Sequence, residues 1–352
     1  MKNLKKLLAL MLALLMSLSL VACGGSDAPA DEPADEPAAE DAAPADDTAE
    51  DEAPAAEVYS IGVIQLVQHE ALDAATQGFV DTLIEKGIAT EDSIDIQNAQ
   101  GDAPTCATIV NGFVSSDVDL ILANATAALQ AAAAGTSEIP ILGTSITDYA
   151  TALEIDDWTG ATGYNVSGTS DLAPLDQQAA MLSELFPVAD YPNVGILYCA
   201  AEPNSKYQSD VVTEALTALG YSVTEYTFSD SNDVAAVTTN ACAEADVLYI
   251  PTDNTAASCT ETINNVAQPA GIPIIAGEEG ICKGCGVATL SISYYDIGVA
   301  AGEMAYEILV NGADITTMEV QFAAQVTKKY NPTICEALNI TPPEGYEAIV
   351  ME

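Results

Sequence analysis

From Val58 onward, short apolar runs alternate with longer stretches in which apolar residues recur every three or four positions, the pattern of repeated strand-helix units. The run Tyr59 to Ile64 predicts a buried parallel strand. Leu72, Ala75, Phe79 and Leu83 then fall on one face of a helix that stops near Gly87. Further strands are predicted at Asp119 to Ala123, Ile139 to Gly143, Val194 to Tyr198, Val247 to Ile250 and Ile272 to Ala276. Helices are predicted between them, one over Ser205 to Leu219 closed by Gly220 and another over Asp296 to Val310 with Ile297, Ala301, Met304 and Ile308 on one face. The region is long enough for two domains of ordinary size.

A weak internal echo supports two similar halves. Asp119-Leu120-Ile121-Leu122-Ala123 leads into Asn124-Ala125-Thr126, and Asp246-Val247-Leu248-Tyr249-Ile250 leads into Asn254-Thr255-Ala256. Each is followed by a second matching strand, Ile139-Pro140-Ile141-Leu142 and Ile272-Pro273-Ile274-Ile275. Two echoes in the same order predict a duplicated, doubly wound α/β architecture, with a ligand at the carboxyl ends of the strands where helix N-termini point.

The start of the chain has a different character. Lys2, Lys5 and Lys6 precede an apolar run from Leu7 to Leu20 that is too short to span a bilayer as a mature helix, and Leu20-Val21-Ala22-Cys23 closes it. Residues 1–22 read as a lipoprotein signal peptide, with Cys23 as the lipidated N-terminus. From there to Glu57 the chain is almost entirely Ala, Pro, Asp and Glu, which predicts an extended tether between membrane and folded region. The expected location is the outer face of the cell membrane, lipid-anchored, which excludes most cytosolic enzyme classes.

Charge narrows the partners. Asp and Glu number 53 against 8 Lys and no Arg, for a formal net charge of -45. A surface this acidic repels polyanions, so nucleic acid is excluded as a partner. His69 is the only histidine and has no nucleophilic elbow or metal-ligand companion, so no catalytic set, metal site or cofactor is expected. Beyond Cys23 there are seven cysteines, among them Cys282-Lys283-Gly284-Cys285. Without a second pair of ligands this spacing reads as a local disulfide or two free thiols.

Taken in order, several short segments resemble the ABC-transporter substrate-binding lipoproteins of the tryptophan and tyrosine type. They are Ile61-Gly62-Val63-Ile64-Gln65 with His69, Asn98-Ala99-Gln100-Gly101-Asp102, Thr147-Asp148, Gly168-Thr169-Ser170-Asp171, Glu202-Pro203-Asn204-Ser205, Pro251-Thr252-Asp253-Asn254 and Tyr294-Tyr295-Asp296-Ile297-Gly298. Tyr149 departs from the proline usual after the Thr-Asp pair. The resemblance implies a periplasmic-binding-protein type I fold: two doubly wound parallel-sheet α/β lobes joined by a three-segment hinge. One lobe is expected to comprise 58–165 plus 289–318, the other 166–288 plus 319–352. It also implies closure of the lobes on a small molecule, with an aromatic amino acid as the leading expectation, and delivery to the permease and ATPase subunits of an importer. A sugar or nucleoside is the alternative guest, and a ligand-sensing surface lipoprotein the alternative role.

A free amino acid presents a carboxylate and an ammonium group. With no arginine, the anion has to be met by backbone N–H groups at helix starts and by Thr126, Ser205 and Thr252 with Asn204 and Asn254. For the ammonium, Asp148, Asp171 and Asp253 each follow a predicted strand or crossing. Asp253 is preferred, with a helix cap or turn as the competing local role of each. Tyr149, Tyr164, Tyr294 and Tyr295 are candidates to stack on a flat ligand, Gln68, His69 and Thr147 to line the cleft, and Trp158 to anchor its own loop.

Overall fold

The computed structural model describes residues 58–351. The leader, Cys23 and the acidic tether through Glu57 lie outside the described residues. The strands are β1 (Ile61–Gln65), β2 (Ile94–Asn98), β3 (Leu120–Asn124), β4 (Ile141–Ile146), β5 (Val166–Ser170), β6 (Asn193–Cys199) and β7 (Ser222–Phe228). They continue as β8 (Val247–Ile250), β9 (Ile274–Ala276), β10 (Ala288–Ser291), β11 (Gln321–Phe322), β12 (Thr327–Tyr330) and β13 (Glu347–Ala348).

Two sheets result, in the orders β11-β5-β4-β3-β1-β2 and β13-β12-β10-β9-β8-β6-β7. All neighbours in the first are parallel, and in the second only β10 and β12 run antiparallel. The orders β2-β1-β3-β4-β5 and β7-β6-β8-β9-β10 are the same doubly wound topology, so the repeat read from sequence is a repeat of architecture. In each half the chain reverses its direction of growth between the first and third strands of the set, which opens a crevice at their carboxyl ends.

The strands legible in sequence are the central ones. Residues of β1, β3 and β8 are buried throughout, so they need apolar residues on both faces. β2 and β7 are edge strands with mostly exposed or half-buried residues, and Ile-Asp-Ile-Gln-Asn carries no continuous apolar signal. β5 is buried, yet reads Val-Ser-Gly-Thr-Ser. Its unremarkable composition explains a correction: 166–170 and 321–322 pair within the first sheet, not the second lobe expected for them, while 289–291 belong to the second sheet. The chain passes between the sheets three times, after β5, after β10 and after β11.

The helix Tyr294–Leu309 returns after β10 to pack on the helix Glu70–Glu85. Their approach is very close: a Cβ on Gly298 would fall 2.0 Å from the Ala75 carbonyl oxygen, and one on Gly78 would fall 2.2 Å from that of Tyr295. Only glycine fits at either position. The contact ties the residues following β10 to the first half and fixes Tyr294, at the start of the helix, beside the crevice.

Candidate functional site

Between the halves lies a nearly filled cavity of about 10 Å³, far smaller than the roughly 300–1,000 Å³ usual for open small-molecule sites. Its lining comes from the carboxyl ends of strands in both sheets. His69 follows β1, Ser145 and Thr147 lie at the end of β4, and Asp171 follows β5. From the second half, Asn204 follows β6, Thr252, Asp253 and Asn254 follow β8, and Glu278 follows β9. Tyr294, Leu72 and Ala257 complete the wall. At Gly277 a Cβ would fall 2.4 Å from the Thr252 backbone nitrogen, so glycine is what allows the ends of β8 and β9 to converge there.

Eight residues singled out from sequence share this cavity: His69, Thr147, Asp171, Asn204, Thr252, Asp253, Asn254 and Tyr294. Seven do not line it. Gln68 is exposed and borders a separate open depression with Gln65, Asp73 and Gln77. Thr126 is buried at the first position of its helix. Asp148 caps the short helix Tyr149–Ala152, accepting from the Thr151 N–H at 2.7 Å, which is its local role. Tyr149 is in the core of the first half, stacked on Trp158 and donating to the Thr169 carbonyl at 3.2 Å, because Gly143 and Gly168 leave room for its ring across the sheet. Ser205 is fully buried behind the wall and donates to Asp253 at 2.7 Å. Tyr164 and Tyr295 are exposed, and Tyr295 bonds Asp81 instead.

Three buried carboxylates face the cavity, each held differently. Asp253 caps the helix Asn254–Ser258: Oδ1 accepts from the Ala256 N–H, and Oδ2 accepts from the Cys199 N–H and from the Ser205 hydroxyl, all at 2.7 Å. Burial and then the nearby Glu202 push it above the ordinary carboxylate range. The preferred ammonium partner from sequence is thus chiefly a structural cap. Glu278 caps the helix Glu279–Cys285 by accepting from Gly280 and Ile281 N–H, and burial raises it to about 7. Asp171 accepts from the side-chain hydroxyls of Thr147 at 3.1 Å and Tyr294 at 2.9 Å, and burial raises it to about 6.

The expected anion site at the start of Asn254–Ser258 is already filled from within. Glu202 accepts from Asn254 N–H at 3.0 Å, from Asn254 Nδ2 at 2.8 Å, and from Thr255 N–H and hydroxyl at 2.9 and 2.8 Å. His69 sits at the N-cap of Glu70–Glu85 without a capping bond, and its Nε2 lies 3.2 Å from Asn254 Oδ1 across the crevice. Burial lowers its basicity. Lys283 pairs with Glu70 at 3.0 Å, a second link between the halves.

Sequence reasoning missed Leu72, Ser145, Ala257 and Glu278. Glu278 follows a predicted strand, the same signal that selected Asp253. Ser145 carried none. It stands in a register irregularity of β4 with φ of 56°, and its buried hydroxyl has no hydrogen-bond partner. A left-handed serine and an orphaned buried hydroxyl each cost about 1–3 kcal/mol. The seven described cysteines are free, and Cys282 and Cys285 are buried with their thiols pushed up by desolvation, far from the reactive range.

Comparison with known proteins agrees with this geometry. A family model described as ABC transporter substrate binding protein matches residues 60–349. The chain belongs to that family. As a substrate-binding protein it is a solute binder and not an enzyme. It is 38% identical over 266 residues to a tyrosine-binding protein of Clostridioides difficile (strain R20291), covering 74% of this chain and 76% of that one. Among solved structures it is similar to an ABC domain in complex with L-Trp from Streptococcus pneumonia, at 31% identity and a TM-score of 0.78, covering 83% of this chain and 100% of that one. It is also similar to the ligand-free, open form of a substrate binding protein with adhesive properties from Clostridium difficile, at 36% identity and a TM-score of 0.63, covering 84% and 100%.

Proposed function

We propose that this substrate-binding protein captures an aromatic amino acid in the cavity between its halves and delivers it to an ABC permease outside the cytoplasm, tethered to the membrane through a lipid on Cys23. The observation that carries the choice of ligand is the cavity's charge. Asp171, Asp253 and Glu278 are buried in its wall, and no lysine lines it. Burying carboxylates without a counter-charge is unfavourable, so the guest that completes the site brings a cation. An α-ammonium group satisfies this, and a neutral sugar or a nucleoside leaves the deficit in place. Leu72, Ala257 and the Tyr294 ring supply apolar surface for a side chain.

Two comparisons support the same reading. The curated relative is a tyrosine-binding protein and the L-Trp complex is a structural neighbour. The chain also matches the L-Trp complex better than the ligand-free open protein, although its identity to the open one is higher, which fits a closed arrangement of the halves. Closure is then a hinge movement through the three crossings, shifted by the guest.

Calorimetric titration of protein stripped of co-purifying solute tests the ligand. L-tyrosine, L-tryptophan or L-phenylalanine should bind tightly, and glucose and adenosine should give no heat of binding. Saturation by glucose with indifference to all three amino acids would remove the proposal.

A further inference from the structure

The β4 strand does not run straight into the crevice. Its pairing with β5 shifts between Gly143 and Ile146, and the extra residue, Ser145, takes a left-handed backbone conformation at φ 56°. Irregularities of this kind re-aim a side chain. Here they accompany a cavity-lining serine that is 5% exposed and whose buried hydroxyl has no hydrogen-bond partner.

The other polar side chains of the wall are occupied. Thr147 and Tyr294 donate to Asp171, and Thr252 is hydrogen-bonded to Tyr294. Asn204 donates to the Thr252 carbonyl, and Asn254 donates to Glu202. The Nε2 of His69 is engaged with Asn254. Acceptors are abundant, because three carboxylates face the cavity. Uncommitted donors are what it lacks, and Ser145 has one.

We propose that Ser145 determines specificity for amino acids over the corresponding amines, by donating its hydroxyl hydrogen to the carboxylate of the bound amino acid. The inference rests on the amino-acid reading above and deepens it. The carboxylates then hold one end of the guest, and Ser145 marks the other.

The test compares L-tyrosine with tyramine, and L-tryptophan with tryptamine, on the full chain and on Ser145→Ala. The expected result is a Kd for the amino acid raised about 10- to 100-fold, the range of a hydrogen bond to a charged group, with the affinity for the amine unchanged. The thermal midpoint of the ligand-free variant should hold or rise, because an orphaned hydroxyl has been removed. Ser145→Gly also accepts the left-handed backbone, so it should show the same selective loss with a higher midpoint, and it carries the test if the alanine variant folds poorly. Equal loss for amino acid and amine, or unchanged amino-acid affinity, overturns the role of Ser145 alone. Wild-type protein that ignores all three aromatic amino acids overturns the ligand reading and this inference with it.

Discussion

The two walls of the cavity are built on opposite plans. On the second half, Asp253 and Glu278 are wired into their own helix starts by backbone N–H groups, and Glu202 locks Asn254 and Thr255 from behind. That wall is complete without a guest. On the first half, Asp171 is held by the hydroxyls of Thr147 and Tyr294 without capping a helix, and the Ser145 hydroxyl has no partner. Repeated architecture has therefore diverged into a preformed face and an unsatisfied one. A face with unmet polar groups gains the most from a ligand, whereas a satisfied face gives shape.

The sharpest break of this contrast is a pair of aspartate substitutions. Asp171→Asn should weaken amino-acid binding by about 2–5 kcal/mol, as for loss of one partner in a buried charge pair, while leaving ligand-free stability equal or higher. Asp253→Ala should instead cost about 1–3 kcal/mol of folding stability, since the Cys199 and Ala256 N–H groups lose their acceptor. Calorimetry and urea unfolding read the two effects separately. If Asp253→Ala left the unfolding midpoint in place, the preformed wall would be a misreading.

Acid titration sharpens the comparison next. Burial holds Asp171 at about 6 and Glu278 at about 7, above their ordinary values, so the folded ligand-free protein binds more protons than the unfolded chain in the window just below those values. Their contribution to stability is full below about pH 4 and falls as the pH rises through 6 and 7. An ammonium guest prefers the ionised carboxylates. Amino-acid affinity is therefore expected to rise over the same window, by up to about tenfold per pH unit for each proton released. Binding heats at pH 6 should differ between buffers of different ionisation enthalpy, and identical heats would contradict the charge reading.

The smallest effect belongs to the rim. Lys283 and Glu70 join the halves, with side chains 27% and 56% exposed, and such a pair is worth about 0–1 kcal/mol. Lys283→Met should weaken binding by a few-fold at low salt, and the difference should vanish at high salt. A larger, salt-independent loss would mean that Lys283 has a part in the site itself.

The alternating apolar runs and the echo between Asp119 to Thr126 and Asp246 to Ala256 were sufficient for the fold, because central strands of a parallel sheet are buried on both faces and cannot be polar. The rule that ligands meet strand carboxyl ends found His69, Asn204 and the segment Thr252 to Asn254. It did not separate cap from contact, since an aspartate after a strand serves either role with the same local sequence. Asp148 and Asp253 proved to be caps, and only the hydrogen-bond partners reveal that. Tyr149 was drawn into the core by the space above Gly143 and Gly168, a pairing of residues far apart in the chain.

By itself, then, the sequence determined the repeated α/β architecture, the acidic character and most of the strand-end positions that line the cavity, because these follow from local periodicity and composition. The tertiary structure decided which carboxylates are locked and which are free, where the crossings fall, and that Ser145 stands unpartnered in the wall. Those depend on partners distant in sequence and on burial, which raises the energetic weight of every unmet polar group, and neither is written in any single stretch of residues.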